Sequence, residues 1–321
     1  MRPTGKLHLG HLLGALHNWV ALQERYDCFY FVADWHALTS EYADTKELTS
    51  YAVDNVADWI AAGLDPERST FFIQSLVPEH AELHLLLSMV TPVPWLERVP
   101  TYKEQQEQLS EKDLSTYGFL GYPLLQTADI IIYNAQFVPV GEDQVPHLEL
   151  SREVVRRFHN IYGEVFAEPQ PLLTHFPRLP GLDNRKMSKS YGNAINLTDD
   201  AETVKKKVMQ MYTDPKRVRA DVPGTVEGNP VFVYHDAFNP DVAEVEDLKA
   251  RYRLGKVGDV EVKQKLVKAM NAALEPLRER RAAVTARPGY VRDVLFEGSA
   301  KARLVATETM ARVRDAVHLK Y

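Results

Sequence analysis

The chain has a single cysteine in 321 residues, Cys28, so it can form neither an intrachain disulfide nor a cysteine-rich zinc site. Long apolar runs are also missing. The longest, Leu83 to Val90, falls far short of the roughly 20 residues that cross a bilayer, and it follows Glu79, His80 and Glu82. No basic-then-apolar signal segment opens the chain, because Lys6, His8 and His11 interrupt Gly5 to Gly14. There is no excess of positive charge either: the formal net charge is −6. A protein that coats nucleic acid indiscriminately needs clustered cations to neutralise phosphate, which argues against that class but leaves a specific RNA partner open. These absences point to a cytoplasmic address without a membrane partner. The remaining composition, 45% apolar and 26% charged, is that of an ordinary globular protein. Its length suits one large α/β domain plus a smaller one.

Leu9, Leu12, Leu13, Leu16 and Val20 recur at helical spacing after the Pro3-Thr4-Gly5 turn. Cys28 to Ala33 reads as a short strand buried on both faces. A helix is predicted over Leu48 to Ala62, a strand at Thr70 to Gln74 and a helix at His80 to Met89. Leu124 to Tyr133 reads as a buried helix, its isoleucines leaving a strand open. Phe137 to Val140 is a further strand, and Leu148, Val155 and Phe158 line one face of another helix. Strands alternating with helices predict a parallel sheet covered on both sides, with ligands beyond the carboxyl ends of the strands. Asp34 and His36 fall there after one strand, and Gly141, Asp143 and Gln144 after another. From about Ala201 to Val284 the patterns are helical. The expected fold is therefore α/β, a doubly wound parallel sheet with a smaller all-helical domain. The boundaries expected are 1–185 for the nucleotide-binding catalytic domain and 186–285 for a loop and helical domain, with the helices of 286–321 free to complete the first.

Two segments carry chemistry. In Pro3-Thr4-Gly5-Lys6-Leu7-His8-Leu9-Gly10-His11, the histidines are three apart and project from one side of a first helical turn. Helix N-termini suit phosphate, and Gly10 lets a flat ring or ribose approach the backbone. The second is Lys186-Met187-Ser188-Lys189-Ser190, after the turn-rich run Pro180 to Arg185. Two ammonium groups flanking a serine can follow a pyrophosphate as charge develops on it. Either segment alone has a bland reading, surface histidines or a basic loop. Together and in this order they do not. The basic residues Lys205, Lys206, Lys207, Lys216, Arg217, Arg219, Arg278, Arg280 and Arg281 read first as solvated helix faces.

The HLGH and KMSKS strings resemble the paired signatures of class I aminoacyl-tRNA synthetases. The surrounding segments, above all Tyr122 to Asp129 and Val140 to Glu149, are similar to those of the tryptophanyl-tRNA synthetase family. The likeness is good over roughly residues 1 to 190 and thins beyond. It implies a Rossmann-like nucleotide-binding fold, a helical anticodon-binding domain within 186–285, a homodimer, tRNA(Trp) as partner, and ATP with Mg²⁺ but no dedicated protein cage for the metal. Carried over by position, His8, His11, Lys186 and Lys189 would be catalytic. Arg2, Pro3, Thr4, Gly10, His11, Gly141, Glu142, Asp143, Lys186, Met187, Ser188, Lys189 and Ser190 would hold ATP. Asp129 would accept the indole N–H of L-tryptophan, with His36, Tyr122 and Gln144 around the amino acid. Asp129 sits between Leu124/Leu125 and Ile130-Ile131-Ile132, where an unpartnered carboxylate is costly, which favours a functional reading. His147 and Glu149 are not proposed as metal ligands.

One departure stands out. Members of that family carry a short apolar strand before the Pro-Thr-Gly turn, whereas Met1 stands directly at it. A mis-assigned or trimmed start is favoured over a sheet that lacks a central strand. Rival readings are a tyrosyl-tRNA synthetase, a small nucleotidyltransferase using the same HxGH turn, and a catalytically inactive synthetase-like RNA-binding or regulatory protein. The Gly141-Glu142-Asp143-Gln144 segment with His147 and Glu149 disfavours the first, the KMSKS loop the second, and two intact signatures the third.

Overall fold

The computed structural model describes the chain apart from residues 109–111, 174–178, 188–190 and 218. Strands β1 (Cys28–Val32) and β2 (Ser69–Ile73) pair in parallel, as do β3 (Phe137–Val140) and β4 (Gln170–Leu173). Period-two alternation sends successive side chains of a strand to opposite faces, and here each face has its own core. Tyr30 and Val32 with Phe71 join the helix Leu48–Ala62, including the fully buried Trp59. Phe29 and Phe31 with Phe72 pack instead with Leu83, Ile131, Phe158 and Met310 on the other side. That is double winding, and the parallel α/β class is as expected.

The sheet is not continuous. Among the described residues no strand links β1 to β3. A cavity of about 460 Å³ lies between them, lined by Phe29, Phe31, Tyr133, Phe137 and Pro139 among others. This is why β1 is not buried on both faces: Phe29 and Phe31 remain partly exposed. Met1 occupies the rim, its amino group donating to Phe31 O at 2.6 Å and its carbonyl accepting from the Ala33 N–H at 2.9 Å.

Tyr122–Ile131 is a helix, which settles the strand alternative. Proline at its start is tolerated, because an N–H there has no partner within the helix. The helix Leu48–Ala62 ends at Gly63, whose φ of 113° a side chain would oppose while its N–H closes on Trp59 and Ile60 carbonyls. Helices Ala201–Met209, Pro230–Phe238, Val242–Arg253 and Asp259–Thr285 follow, and all four share the β1 core, the third through Leu248 and Tyr252. The last helix, Tyr290–Ala316, returns to the sheet. At Gly298 it lies so close that a Cβ would stand 1.8 Å from Phe71 O, and Ser299 Oγ accepts from the Ile73 N–H at 3.1 Å.

Candidate active site

The histidine turn is closed by its own side chains. His8 caps the helix Leu9–His11, accepting at Nδ1 from the Gly10 N–H at 3.1 Å, and His11 Nδ1 accepts from the His8 N–H at 3.1 Å. This reciprocal capping box satisfies donors that a helix start leaves open. Because each Nδ1 accepts, each neutral ring carries its proton on Nε2, the side able to donate to a phosphoryl oxygen. A Cβ on Gly10 would press on the His8 ring at 3.0 Å and meet Met187 Sδ at 3.3 Å. Gly10 thus lets the second motif close onto the first.

Backbone pairing enforces that approach. The Leu9 N–H donates to Ile195 O at 3.0 Å, and the Leu197 N–H to Leu7 O at 2.9 Å. Asn193 Nδ2 holds the base of the lysine segment, donating to Lys186 O at 3.1 Å and Asp183 Oδ1 at 2.8 Å. Ser188, Lys189 and Ser190 lie outside the described residues. A cavity of about 700 Å³ opens beside the turn, with Arg2, Pro3, Thr4, His8 and His11 on one wall. Glu41, Asp44 and Glu47 form much of the other, where Lys112 Nζ meets Glu41 Oε1 at 2.6 Å. Gly141, Glu142 and Asp143 do not line this cavity; they stand at the carboxyl end of β3, in and before the short turn Glu142–Gln144. There a Cβ on Gly141 would meet Asp143 Oδ1 at 2.8 Å, and Gln144 Nε2 donates to Asp143 Oδ2 at 3.1 Å.

Asp129 sits on the helix Tyr122–Ile131 and is 4% exposed. Its Oδ2 accepts from His36 Nε2 at 2.7 Å; its Oδ1 accepts from His80 Nδ1 at 2.6 Å and Gln74 Nε2 at 2.7 Å. Burial pushes this carboxyl's pKa up, but the His36 charge and the His36 and His80 hydrogen bonds outweigh it and hold the value down at about 2. The group is an ionised acceptor ringed by donors. Tyr122, at the start of the same helix, has its hydroxyl 2.9 Å from Thr101 Oγ1, which in turn lies 2.9 Å from His147 Nε2. Burial drives the pKa of His147 down to about 4, so that ring is neutral at neutral pH.

The structure therefore joins His36 to Asp129, and Tyr122 to His147, while Gln144 bonds its neighbour Asp143 at the foot of the helix Val145–Tyr162. Gln74, His80 and Thr101 were not legible as site residues. Gln74 follows directly on β2, so the strand-end rule that marked His36 applied to it as well. Among the basic residues, Arg217 is buried and donates to the carbonyls of Ala220, Val222 and Val257. Arg280 and Arg281 tie the helix Asp259–Thr285 to Ala61 O and Asp58. These three are structural ties, and buried Arg217 departs from the solvated helix faces expected of it.

Comparison with known proteins is consistent across sequence and fold. The family model described as tRNA synthetases class I (W and Y) matches residues 1–275. A tryptophan–tRNA ligase of Thermotoga maritima is 53% identical over 322 residues, covering 100% of this chain and 98% of its own length. One from Treponema pallidum is 49% identical, covering 99% and 95%. The crystal structure of tryptophanyl-tRNA synthetase from Campylobacter jejuni, complexed with ADP and tryptophan, superposes with a TM-score of 0.89 at 32% identity, over 99% of this chain and 98% of that one.

Proposed function

The chain belongs to the class I tRNA synthetases of the tryptophan and tyrosine type, and on that premise we propose how its residues carry out the tryptophan–tRNA ligase reaction. It activates L-tryptophan with ATP and transfers it to tRNA(Trp). A carboxylate oxygen of tryptophan attacks the α-phosphorus of ATP in line. The bond to the β-phosphate bridging oxygen breaks, leaving tryptophanyl-adenylate and pyrophosphate. A ribose hydroxyl at the tRNA end then attacks the acyl carbon, and AMP leaves.

One observation carries the assignment of the amino-acid site: a buried, ionised carboxylate held in place by three side chains at the strand ends. Such an acceptor suits the indole N–H. Phenylalanine would leave it unpaired, a mismatch worth about 10⁴ to 10⁵ in discrimination. His36, Tyr122 and Gln144 would surround the amino acid. Arg2, Pro3, Thr4, Gly10, Gly141, Glu142 and Asp143 would hold ATP, and His8, His11, Lys186 and Lys189 would stabilise charge on the transferring phosphates. Met187, Ser188 and Ser190 would contribute to ATP binding alongside the two lysines.

Mg²⁺ would arrive on the triphosphate, where it supplies charge neutralisation to the phosphate oxygens. The imidazole and ammonium donors around the turn fit phosphate rather than a bare cation, and among the described residues no cluster of three His, Cys, Asp or Glu side chains offers a cage. Residues 186–285 would bind the anticodon, on the strength of the helices that follow the lysine segment. A homodimer would cover the exposed Leu85, Met89 and Val93. A cytoplasmic address follows from the activity; among the described residues no helix is long and apolar enough to cross a membrane.

Amino-acid-dependent exchange of pyrophosphate into ATP, run with all twenty amino acids, tests the reading. Tryptophan alone should support it. Exchange with tyrosine instead, whose hydroxyl can also donate to a carboxylate, would reassign the substrate, and exchange with none would leave only a binding role.

A further inference from the structure

Asp129 is held asymmetrically. Oδ1 accepts from both Gln74 Nε2 and His80 Nδ1, which fills its two lone-pair directions. Oδ2 accepts from His36 at 2.7 Å and only secondarily from Gln74, at 3.0 Å. The donors on Oδ1 are completely buried, with 0% of either residue exposed. His36 keeps 11% of its side chain accessible.

We propose that Gln74 and His80 are positioning residues: they clamp Asp129 through Oδ1, and so reserve Oδ2, which His36 holds in this structure, as the oxygen that accepts the indole N–H. The proposal rests on the tryptophan reading above.

The protonation pattern leaves little choice. An ionised carboxylate only accepts, so His80 must carry its proton on Nδ1. Its Nε2 lies 2.7 Å from the Tyr133 hydroxyl. Burial pushes the Tyr133 phenol far above its usual range, so it keeps its proton and its hydroxyl pairs with Nε2. Tyr133 itself is fixed by stacking on Phe29 at 4.8 Å and against Phe72 at 5.4 Å. His80 is thus held between the Tyr133 hydroxyl and Asp129, with its Nδ1–H aimed at the carboxylate.

Gln74 gives a second, independent indication. Its amide must turn Nε2 to the carboxylate, which leaves Oε1 buried without a partner among the described residues. A buried unpaired acceptor destabilises a fold, and an apolar side chain there would avoid it. Folding alone does not explain this residue. Aiming Asp129 does.

The test is steady-state pyrophosphate exchange with His80→Leu, His80→Asn and Tyr133→Phe alongside the parent chain. Asparagine places an N–H where Nδ1 stands; leucine does not. His80→Leu should raise KM for tryptophan at least about tenfold, leave kcat within about threefold and KM for ATP unchanged, and lower the tryptophan-to-phenylalanine preference. His80→Asn should restore most of the loss, and Tyr133→Phe should move KM the same way by less. The acid limb of kcat/KM for tryptophan should shift to higher pH in His80→Leu, because losing a hydrogen bond to the charged form raises the Asp129 pKa. The other groups whose charge bears on Asp129 are His36, His84, Tyr133 and the Met1 amino group, and all are retained in His80→Leu. Equal losses in the leucine and asparagine variants, or a KM that does not move, would overturn the proposal while leaving the tryptophan reading intact. If His80→Leu does not fold, the asparagine and phenylalanine variants decide: a parent-like acid limb and KM in Tyr133→Phe counts against it. A parent chain inactive with tryptophan overturns both.

Discussion

The two sides of the proposed site are built to opposite plans. Around Asp129 the polar groups are buried and already bonded to one another, from Tyr133 through His80 to the carboxylate. Around His8 and His11 they are half-exposed, bonded to their own backbone, and face an open cavity. A buried acceptor discriminates because any ligand lacking the donor must leave it unpaired. Phosphate groups change charge and geometry during transfer, so donors there do better on turns that can close around them. On the reading proposed above, the amino-acid side would set what is bound and the nucleotide side what is done to it.

Asp129→Asn should break the first side with the largest effect. The substitution removes the charge and sets an amide among donors, so Gln74 or a histidine loses its partner. Tryptophan-dependent exchange should fall by about 10³-fold or more, mostly in KM, with ATP binding spared. A variant that instead lost ATP binding would show that the two sides are not separable. On the second side, His11→Ala removes one donor to the transferring phosphates and half of the capping box. We expect kcat to fall by about 10²-fold with KM for tryptophan little changed, read in the same exchange assay. A higher KM for ATP with kcat unchanged would instead make His11 a ground-state binder.

Much of this contrast was legible in the sequence, for a physical reason. The nucleotide side is local: His8, Gly10 and His11 lie within one turn, and Lys186 and Met187 within one short segment, so the two strings stand out once they are read together. The amino-acid side is assembled across the fold. Asp129 stood out because it interrupts an apolar helix, but Gln74 and His80 reach it across 55 and 49 positions. Neither occupies a marked pattern of its own, and His80 sits in a helix where a buried ring looks like any other core contact. The fold was equally uneven. Apolar periodicity marked β1, β2, β3 and the helices between them. It does not say whether neighbouring strands pair, and the gap between β1 and β3 depends on pairing. β4, with the sequence Gln170-Pro171-Leu172-Leu173, lacks the aromatic and β-branched residues that marked the equally short β3, Phe137-Val138-Pro139-Val140.

Gly298→Ala sharpens the comparison from behind the sheet. Its Cβ would meet Phe71 O at 1.8 Å, so the helix Tyr290–Ala316 must move off β2. Overpacking against backbone costs about 1–3 kcal/mol or somewhat more, seen as a lower melting temperature. Gln74 follows β2 directly, so KM for tryptophan should rise with it while KM for ATP holds. A stability loss without that KM change would mean the amino-acid side is braced from elsewhere.

The smallest effect concerns His147, and its sign is set by burial. Its pKa falls from 6.5 to about 4 in the folded chain, because burial disfavours the charged ring. Between those values the unfolded chain binds a proton that the folded one does not, so stability rises with pH across that window and is lost as pH falls from 6.5 towards 4. At 1.36 kcal/mol per unit the loss is of order 3 kcal/mol at its limit. His147→Gln keeps a polar group near Thr101 but cannot titrate. Denaturant melts at neutral pH and near pH 4 should therefore differ less in the variant than in the parent chain. If both lose stability equally on acidification, the buried ring is not what makes this side of the site acid-sensitive, and the carboxylates must be.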